Sequence, residues 1–337
     1  MAKPILVTGA GGFIGSHLVD ALVAQGHEVH ALDDLSGGFK DNIHPKAIFH
    51  QVDLREEIPT RKVIEKIKPY LIFHLAADAT EGRSQFTPLD CTRRNYLAYL
   101  NLLIPAIKNG MEKMVMFSSM AVYGAQKPPF HEELEPKPED VYGISKYAME
   151  QATKILSDVH GFKWTIIRPH NVYGPRQNMA DPYRNVIAIF MNAVLRNKAF
   201  YIYGDGEQKR AFSYIHDQIP CIMHSGFSEE CNKHIINLGP VKEYSINELA
   251  EQIIAITGRK DLKPQYLPPR PNEVKHAWCT NDKAIKLLNY EDRVTLPEGI
   301  MQMWQWAQDK GPQDPKYLDS LELETGNVPA TWKNKLY

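Results

Sequence analysis

Tyr142 and Lys146 stand four residues apart. On a helix that spacing puts a phenol and an ammonium on one face, one turn apart. A free tyrosine has a pKa of about 10, too high for a base at neutral pH. A nearby ammonium favours the phenolate, and so does a positively charged nicotinamide ring. The run from Met116 to Gly124 (M-F-S-S-M-A-V-Y-G) adds a serine hydroxyl at the end of a strand-like stretch. A phenolate and a hydroxyl beside a hydride acceptor are the parts needed to oxidise an alcohol.

A place for that acceptor stands at the start of the chain. Thr8-Gly9-Ala10-Gly11-Gly12-Phe13-Ile14-Gly15 follows the apolar run Pro4–Val7 and opens a helix-like run to Gln25. Phe13, Ile14, Leu18, Ala21 and Leu22 share one face of that run. Gly9 permits the tight turn, Gly12 lets a pyrophosphate approach the backbone, and Gly15 lets helix and strand pack closely. The helix N-terminus turns free N–H groups and a positive dipole end toward the phosphates. The second strand-like run, Glu28–Leu32, ends in Asp33. An acid about twenty residues past the turn accepts both ribose hydroxyls and repels a 2′-phosphate, which favours NAD over NADP. Val52-Asp53-Leu54 follows the third strand, where Asp53 can bond the adenine amino group. Leu75, Ala76 and Ala77 close the fourth, where small residues let the dinucleotide pass close to the backbone.

These residues need a scaffold, and the rest of the chain is suited to one. Strand-like runs lie near 4–8, 28–32, 47–52, 71–75, 113–117 and 163–168, and helix-like runs near 12–25, 57–67, 89–109 and 144–160. The alternation predicts an α/β fold, a Rossmann-type doubly wound parallel sheet that binds ligands at the carboxyl ends of its strands. Past residue 170 the pattern becomes irregular, with shorter helices expected at 184–196, 246–257 and 297–309. This divides the chain into an NAD-binding domain over 1–175, with return segments near 213–240, a smaller irregular substrate lobe over 176–310, and a tail over 311–337. Composition excludes other classes. The net charge of −1 gives no electrostatic case for nucleic acid or an anionic membrane. No apolar run approaches the ~20 residues of a membrane span, and Met1-Ala2-Lys3 leaves no room for a signal peptide, so a cytoplasmic protein is expected. Cys91, Cys221, Cys231 and Cys279 are scattered and read as reduced thiols. The 13 histidines form no metal-ligand spacing, so no metal is expected.

Two long runs carry a resemblance beyond the short motifs. They are Ile167-Arg-Pro-His-Asn-Val-Tyr-Gly-Pro-Arg-Gln177 and Tyr203-Gly-Asp-Gly-Glu-Gln-Lys-Arg-Ala-Phe-Ser-Tyr-Ile-His-Asp217. With them the chain, from about residue 4 to about 306, resembles the extended short-chain dehydrogenase/reductases that act on nucleotide sugars, the NAD-dependent epimerases and dehydratases. The resemblance implies that Ser119 is catalytic with Tyr142 and Lys146, and that Lys146 also bonds the nicotinamide ribose. It implies that Asn171 and Arg210 hold the substrate diphosphate, and that Arg270 and Glu273 grip the nucleotide, with Glu where Asp is commoner. Arginine suits this task because its fork binds phosphate in bidentate fashion.

Within that family the shared first step is oxidation at C4 of the sugar. Dehydratases and decarboxylases resemble one another in a Glu just after the catalytic serine, whereas this chain has Met120 and Ala121, which cannot exchange a proton. The expectation is a nucleotide-sugar 4-epimerase with tightly held NAD. A related epimerase, reductase or decarboxylase is the alternative, and a non-catalytic nucleotide-binding scaffold is the alternative of another class. A residue of the late run, Ala277, falls where the resemblance puts a wall beside the C2 substituent, so its small side chain predicts room for an N-acetyl group. The expected partner is therefore a UDP-hexose or UDP-N-acetylhexosamine. Helices 89–109 and 144–160 carry more apolar residues than one buried face needs, and the resemblance implies that they pair across a two-fold axis in a homodimer.

Overall fold

A computed structural model of the protein describes residues 3–270 and 273–337. Met1, Ala2, Pro271 and Asn272, the last two inside the late Arg270–Trp278 run, lie outside the described residues.

Seven parallel strands form the central sheet: β1 Ile5–Thr8, β2 Val29–Asp33, β3 Ile48–Gln51, β4 Leu71–His74, β5 Lys113–Phe117, β6 Lys163–Pro169 and β7 His234–Leu238. Their order is β7-β6-β5-β4-β1-β2-β3. The order reverses between β1 and β4, which is where open sheets of this kind bind ligands. β1, β4 and β5 are buried along their whole length, as strands covered by helices on both faces must be.

Four helices carry the crossovers of the first half: α1 Phe13–Ala24, α2 Glu57–Ile67, α3 Ala98–Lys108 and α4 Val141–His160. In α1, Leu18, Val19 and Leu22 are fully buried. Each such side chain contributes about 1.5–3 kcal/mol. The helix expected at 89–109 runs continuously over 88–108 but is widened by one turn. A short helix, Pro88–Thr92, passes through one wide turn at Arg93–Leu97 before α3 begins. That turn points Asn95 inward, where its amide accepts from the Asp78 N–H at 3.1 Å and donates to the Asp78 and Cys91 carbonyls. The loop after β4 is pinned in this way.

The second half returns to the sheet through α5 Ile215–Phe227 and β7. The strand-by-strand reading stopped at β6, because α5 has Pro220 in its interior and β7 is a short apolar run among polar neighbours. The remaining segments lie outside this sheet. They include helices Val186–Leu195, Ile246–Thr257 and Leu296–Lys310 and a small sheet in which Lys209–Ala211 lies between Glu243–Ser245 and His276–Ala277. Residues 311–337 are mostly extended and end in the short helix Ala330–Lys333. All four cysteines are free and buried. Among the described residues no helix is long and apolar enough to cross a membrane.

Candidate active site

The carboxyl ends of β1, β4, β5 and β6 open on one cleft of about 430 Å³. Its cofactor side is made mainly of backbone. Gly9 has φ +70°, and a Cβ there would stand 2.7 Å from the Ala76 nitrogen. A Cβ on Gly15 would run into the Gly9 carbonyl oxygen. Only glycine lets α1 and the turn pack this closely. Gly9, Gly12, Phe13, Ile14, Gly15, Asp33, Asp53, Leu54, Leu75, Ala76 and Ala77 all line the cleft. The buried Asp33 carboxylate accepts from the Leu35 N–H at 2.7 Å and the Gly11 N–H at 2.9 Å. Burial pushes its carboxyl up, and these two bonds oppose the shift. Asp53 is held by Arg55, with Nη2 at 2.6 Å, which keeps its carboxyl below the usual range. A cradle that admits no Cβ, with an acid at the end of β2, fits a dinucleotide.

The chemical side is made of side chains. Ser119 follows β5 and caps the turn Met120–Tyr123, its Oγ accepting from the Ala121 N–H at 3.1 Å. Its hydroxyl stands beside the Tyr142 phenol. Asp140 starts α4 by accepting from the Gly143 N–H at 2.7 Å, which places Tyr142 in the first turn. The Lys146 Nζ lies 5.8 Å from the centre of the Tyr142 ring and donates to the Phe117 carbonyl at 2.7 Å. Burial pulls the Lys146 ammonium down to about 8. Burial, followed by the charge of Glu81, pushes the Tyr142 phenol up, while the Ser119 hydroxyl pulls it down. An added positive charge at this spot would draw the phenol down.

A buried network ties α4 to β5, β6 and β7 beneath these groups. Glu150, two turns beyond Tyr142 on α4, accepts from Ser118 Oγ at 2.5 Å and from Arg168 of β6 at 2.6 and 2.8 Å. Arg168 lies 4.7 Å over the Tyr123 ring, and the Tyr123 hydroxyl donates to Asn237 of β7.

The expected substrate residues divide into two groups. Ser119 and Asn171 line the cleft. Asn171 has φ +24°, and its amide donates to the Ala211 carbonyl at 2.9 Å. Arg210, Arg270, Glu273 and Ala277 are not among the residues that line the cleft, although the charges of Arg210 and Arg270 act on Glu81, which does. Arg210 donates to the carbonyls of Lys209, Val274 and Lys275. Arg270 pairs with Glu273 at 2.7 Å and lies 4.9 Å over the Tyr203 ring. Ala277 pairs with Arg210 in the small sheet and packs with Met120, Val122, Tyr123, Phe130 and Cys279. Of these, Met120 reaches the cleft.

Several lining residues escaped sequence reasoning: Glu81, Arg83, Asp181, Arg184, Asn185 and Leu318. Glu81 and Arg83 follow β4 on the binding edge, a position that could have flagged them. Arg184 and Asn185 fall at the start of the helix expected at 184–196, whose pattern marks its buried face and not its end, and Asp181 and Leu318 come from irregular segments without a periodic signal. Glu81 is water-accessible yet walled by protein; burial pushes its carboxyl up, and Arg210 and Arg270 pull it down.

Comparison with known proteins follows the same outline. The family profile of the NAD dependent epimerase/dehydratase family matches residues 5–239. A UDP-glucose 4-epimerase of Mycolicibacterium smegmatis is 34% identical over 314 residues, covering 90% of this chain and 98% of its own length. The crystal structure of UDP-glucose 4-epimerase from Thermotoga maritima with UDP-glucose superposes with a TM-score of 0.86 at 33% identity, over 91% of this chain and 99% of that one. UDP-N-acetylglucosamine 4-epimerase from Methanobrevibacter ruminantium M1, in complex with UDP-N-acetylmuramic acid, gives 0.84 at 31% identity, over 92% and 99%.

Proposed function

This chain belongs to the NAD dependent epimerase/dehydratase family, and from that premise we propose that it is a nucleotide-sugar 4-epimerase acting on UDP-hexoses or UDP-N-acetylhexosamines. The observation that carries the reading is the grouping of Ser119, Tyr142 and Lys146 at the cleft, followed by Met120 and Ala121 in place of an acid. NAD, held by the glycine turn, Asp33 and Leu75–Ala77, supplies hydride acceptance and return. Tyr142 takes the proton of the C4 hydroxyl and later gives it back, while Ser119 holds the C4 oxygen. Lys146, anchored on the Phe117 carbonyl, places its charge beside the phenol. Asn171, Arg210 and Arg270 tether the diphosphate, so that the 4-keto sugar turns about a fixed point and its other face receives the hydride. Met120 and Ala121 offer no base for the C5 proton, and no 4-keto-6-deoxy sugar should accumulate.

The substrate reading rests on Ala277. It belongs to the same buried apolar cluster as Met120, which lines the cleft. Assembly as a homodimer is part of the same proposal. Leu89, Leu97 and Ile104 around α3 and Ile144, Ile155 and Val159 on α4 are all exposed, an apolar set that a second copy would cover. Light scattering at micromolar concentration should give twice the 38.4 kDa chain mass. The function is tested by incubating the protein with a panel of nucleotide sugars, without added cofactor, and following C4 epimers by NMR. Failure to epimerise any of them refutes the proposal.

A further inference from the structure

Residues 311–337 carry Pro312, Pro315 and Pro329 and form only the short helix Ala330–Lys333 among mostly extended chain. They are nevertheless held at many points. Tyr317, Leu321 and Val328 pack on a small core of Phe86, Tyr183 and Trp332. Trp332 meets Phe86 and Tyr183 edge-on, and its Nε1 donates to the Pro182 carbonyl at 3.2 Å. Lys316 N–H donates to the Ala180 carbonyl at 2.8 Å, and Leu318 N–H to the Tyr183 hydroxyl at 2.9 Å. The chain then crosses to the other bank. The Glu322 carboxylate accepts the Leu89 and Asp90 N–H groups at 2.8 and 2.7 Å, in the first turn of helix Pro88–Thr92, and Leu323 N–H donates to the Phe86 carbonyl. Ala180–Tyr183 belong to the lobe, and Phe86–Asp90 to the sheet domain. Asp181 and Arg184 on one bank, and Glu81, Arg83 and Asp90 on the other, line the cleft between them.

Two contacts aim this strap at the ligand side. Leu318 lines the cleft and is 38% exposed, an apolar side chain left partly open to solvent. Thr331 Oγ1 lies 2.6 Å from the Tyr203 hydroxyl, which also accepts the Thr331 N–H at 3.2 Å. Tyr203 is the ring on which Arg270 lies.

Building on the epimerase reading above, we propose that the strap is a wall of the nucleotide-sugar site. Leu318 is its specificity-determining residue, bearing on the bound sugar, and Thr331 is a positioning residue that sets Arg270 through Tyr203. The chemistry favours an apolar wall. A sugar that must turn over between two steps is slowed by hydrogen bonds that hold one orientation. A leucine confines it without holding it, and keeps the 4-keto sugar from leaving with the cofactor still reduced.

Three readouts test this on the full-length protein, beside melting temperature: UDP affinity by calorimetry, turnover of a UDP-sugar, and stranded reduced cofactor by near-ultraviolet absorbance. Leu318→Ala should keep UDP affinity within about twofold, but raise stranded reduced cofactor several-fold per turnover. Thr331→Val should weaken UDP by up to about tenfold, the worth of one hydrogen bond, without stranding cofactor. A lower melting temperature with both readouts unchanged overturns the wall and leaves the strap as a stabiliser. Leu318→Asn guards against a folding artefact: a partition equal to wild type in both Leu318 variants also overturns it. If wild type binds UDP but turns over no nucleotide sugar, the epimerase reading fails, while the Thr331→Val affinity still decides the role of the strap toward Arg270.

Discussion

The two sides of the cleft are built on different principles. The cofactor side is backbone: a turn in which Gly9 and Gly15 leave no room for a Cβ, against strand ends buried on both faces. The side where the substrate is proposed to bind is made of side chains on irregular segments, with Arg210 turned onto carbonyls and Arg270 onto Glu273 and Tyr203. A backbone cradle is fixed once the sheet folds. A side-chain site can be re-cut by single substitutions while the sheet stays whole. That contrast accounts for one NAD-dependent fold serving many nucleotide sugars.

Gly15→Val offers the sharpest attack on this contrast. Its side chain must displace the Gly9 carbonyl, so NAD binding should be lost and the melting temperature should fall, measured by calorimetry and thermal denaturation. Retention of wild-type NAD affinity would break the comparison. Tyr142→Phe follows, acting on chemistry alone. It should keep NAD and UDP affinity while turnover drops about 10²–10⁴-fold, the range for a lost acid–base group. A variant retaining more than about a tenth of wild-type rate would remove Tyr142 as the base. Ala277→Tyr probes the re-cuttable side. Overpacking costs about 1–3 kcal/mol, so kcat/KM for a UDP-N-acetylhexosamine should fall by about tenfold or more and a plain UDP-hexose should be spared. Equal loss on both would show that Ala277 does not shape the pocket.

The smallest effect crosses between the two sides. The charge of Glu81 raises the Tyr142 phenol. Neutralising it with Glu81→Gln lowers that pKa, so the phenolate forms at lower pH, and the acid limb of kcat/KM should move toward lower pH. A limb that stays in place, or moves up, would show that Glu81 does not act on the base.

Legibility in the sequence follows the same division. The glycine turn, Asp33 and the strand ends announce themselves because backbone geometry demands particular residue types at fixed spacing. Tyr142 and Lys146 were legible as a helical pair, and their placement at the cleft needed the Asp140 cap that starts α4 three residues before the expected boundary at 144. Glu81 and Leu318 were not legible, because loops and extended chain carry no periodicity that could place a side chain. The wide turn at Arg93–Leu97 was hidden for a related reason: its apolar spacing still reads as one helix, and the inward amide of Asn95 shows only when the Asp78 loop stands beside it.

The Glu150–Arg168 pair under Ser118 has a consequence for how such a protein can change over generations. Either residue replaced alone strands a fully buried charge, at a cost of about 3–5 kcal/mol, a large part of the 5–15 kcal/mol by which a domain is stable. No sequence of single, individually tolerated replacements leads easily away from it. Ser118, Glu150 and Arg168 are therefore expected to change together, and a graft of α4 onto another sheet should carry all three or none.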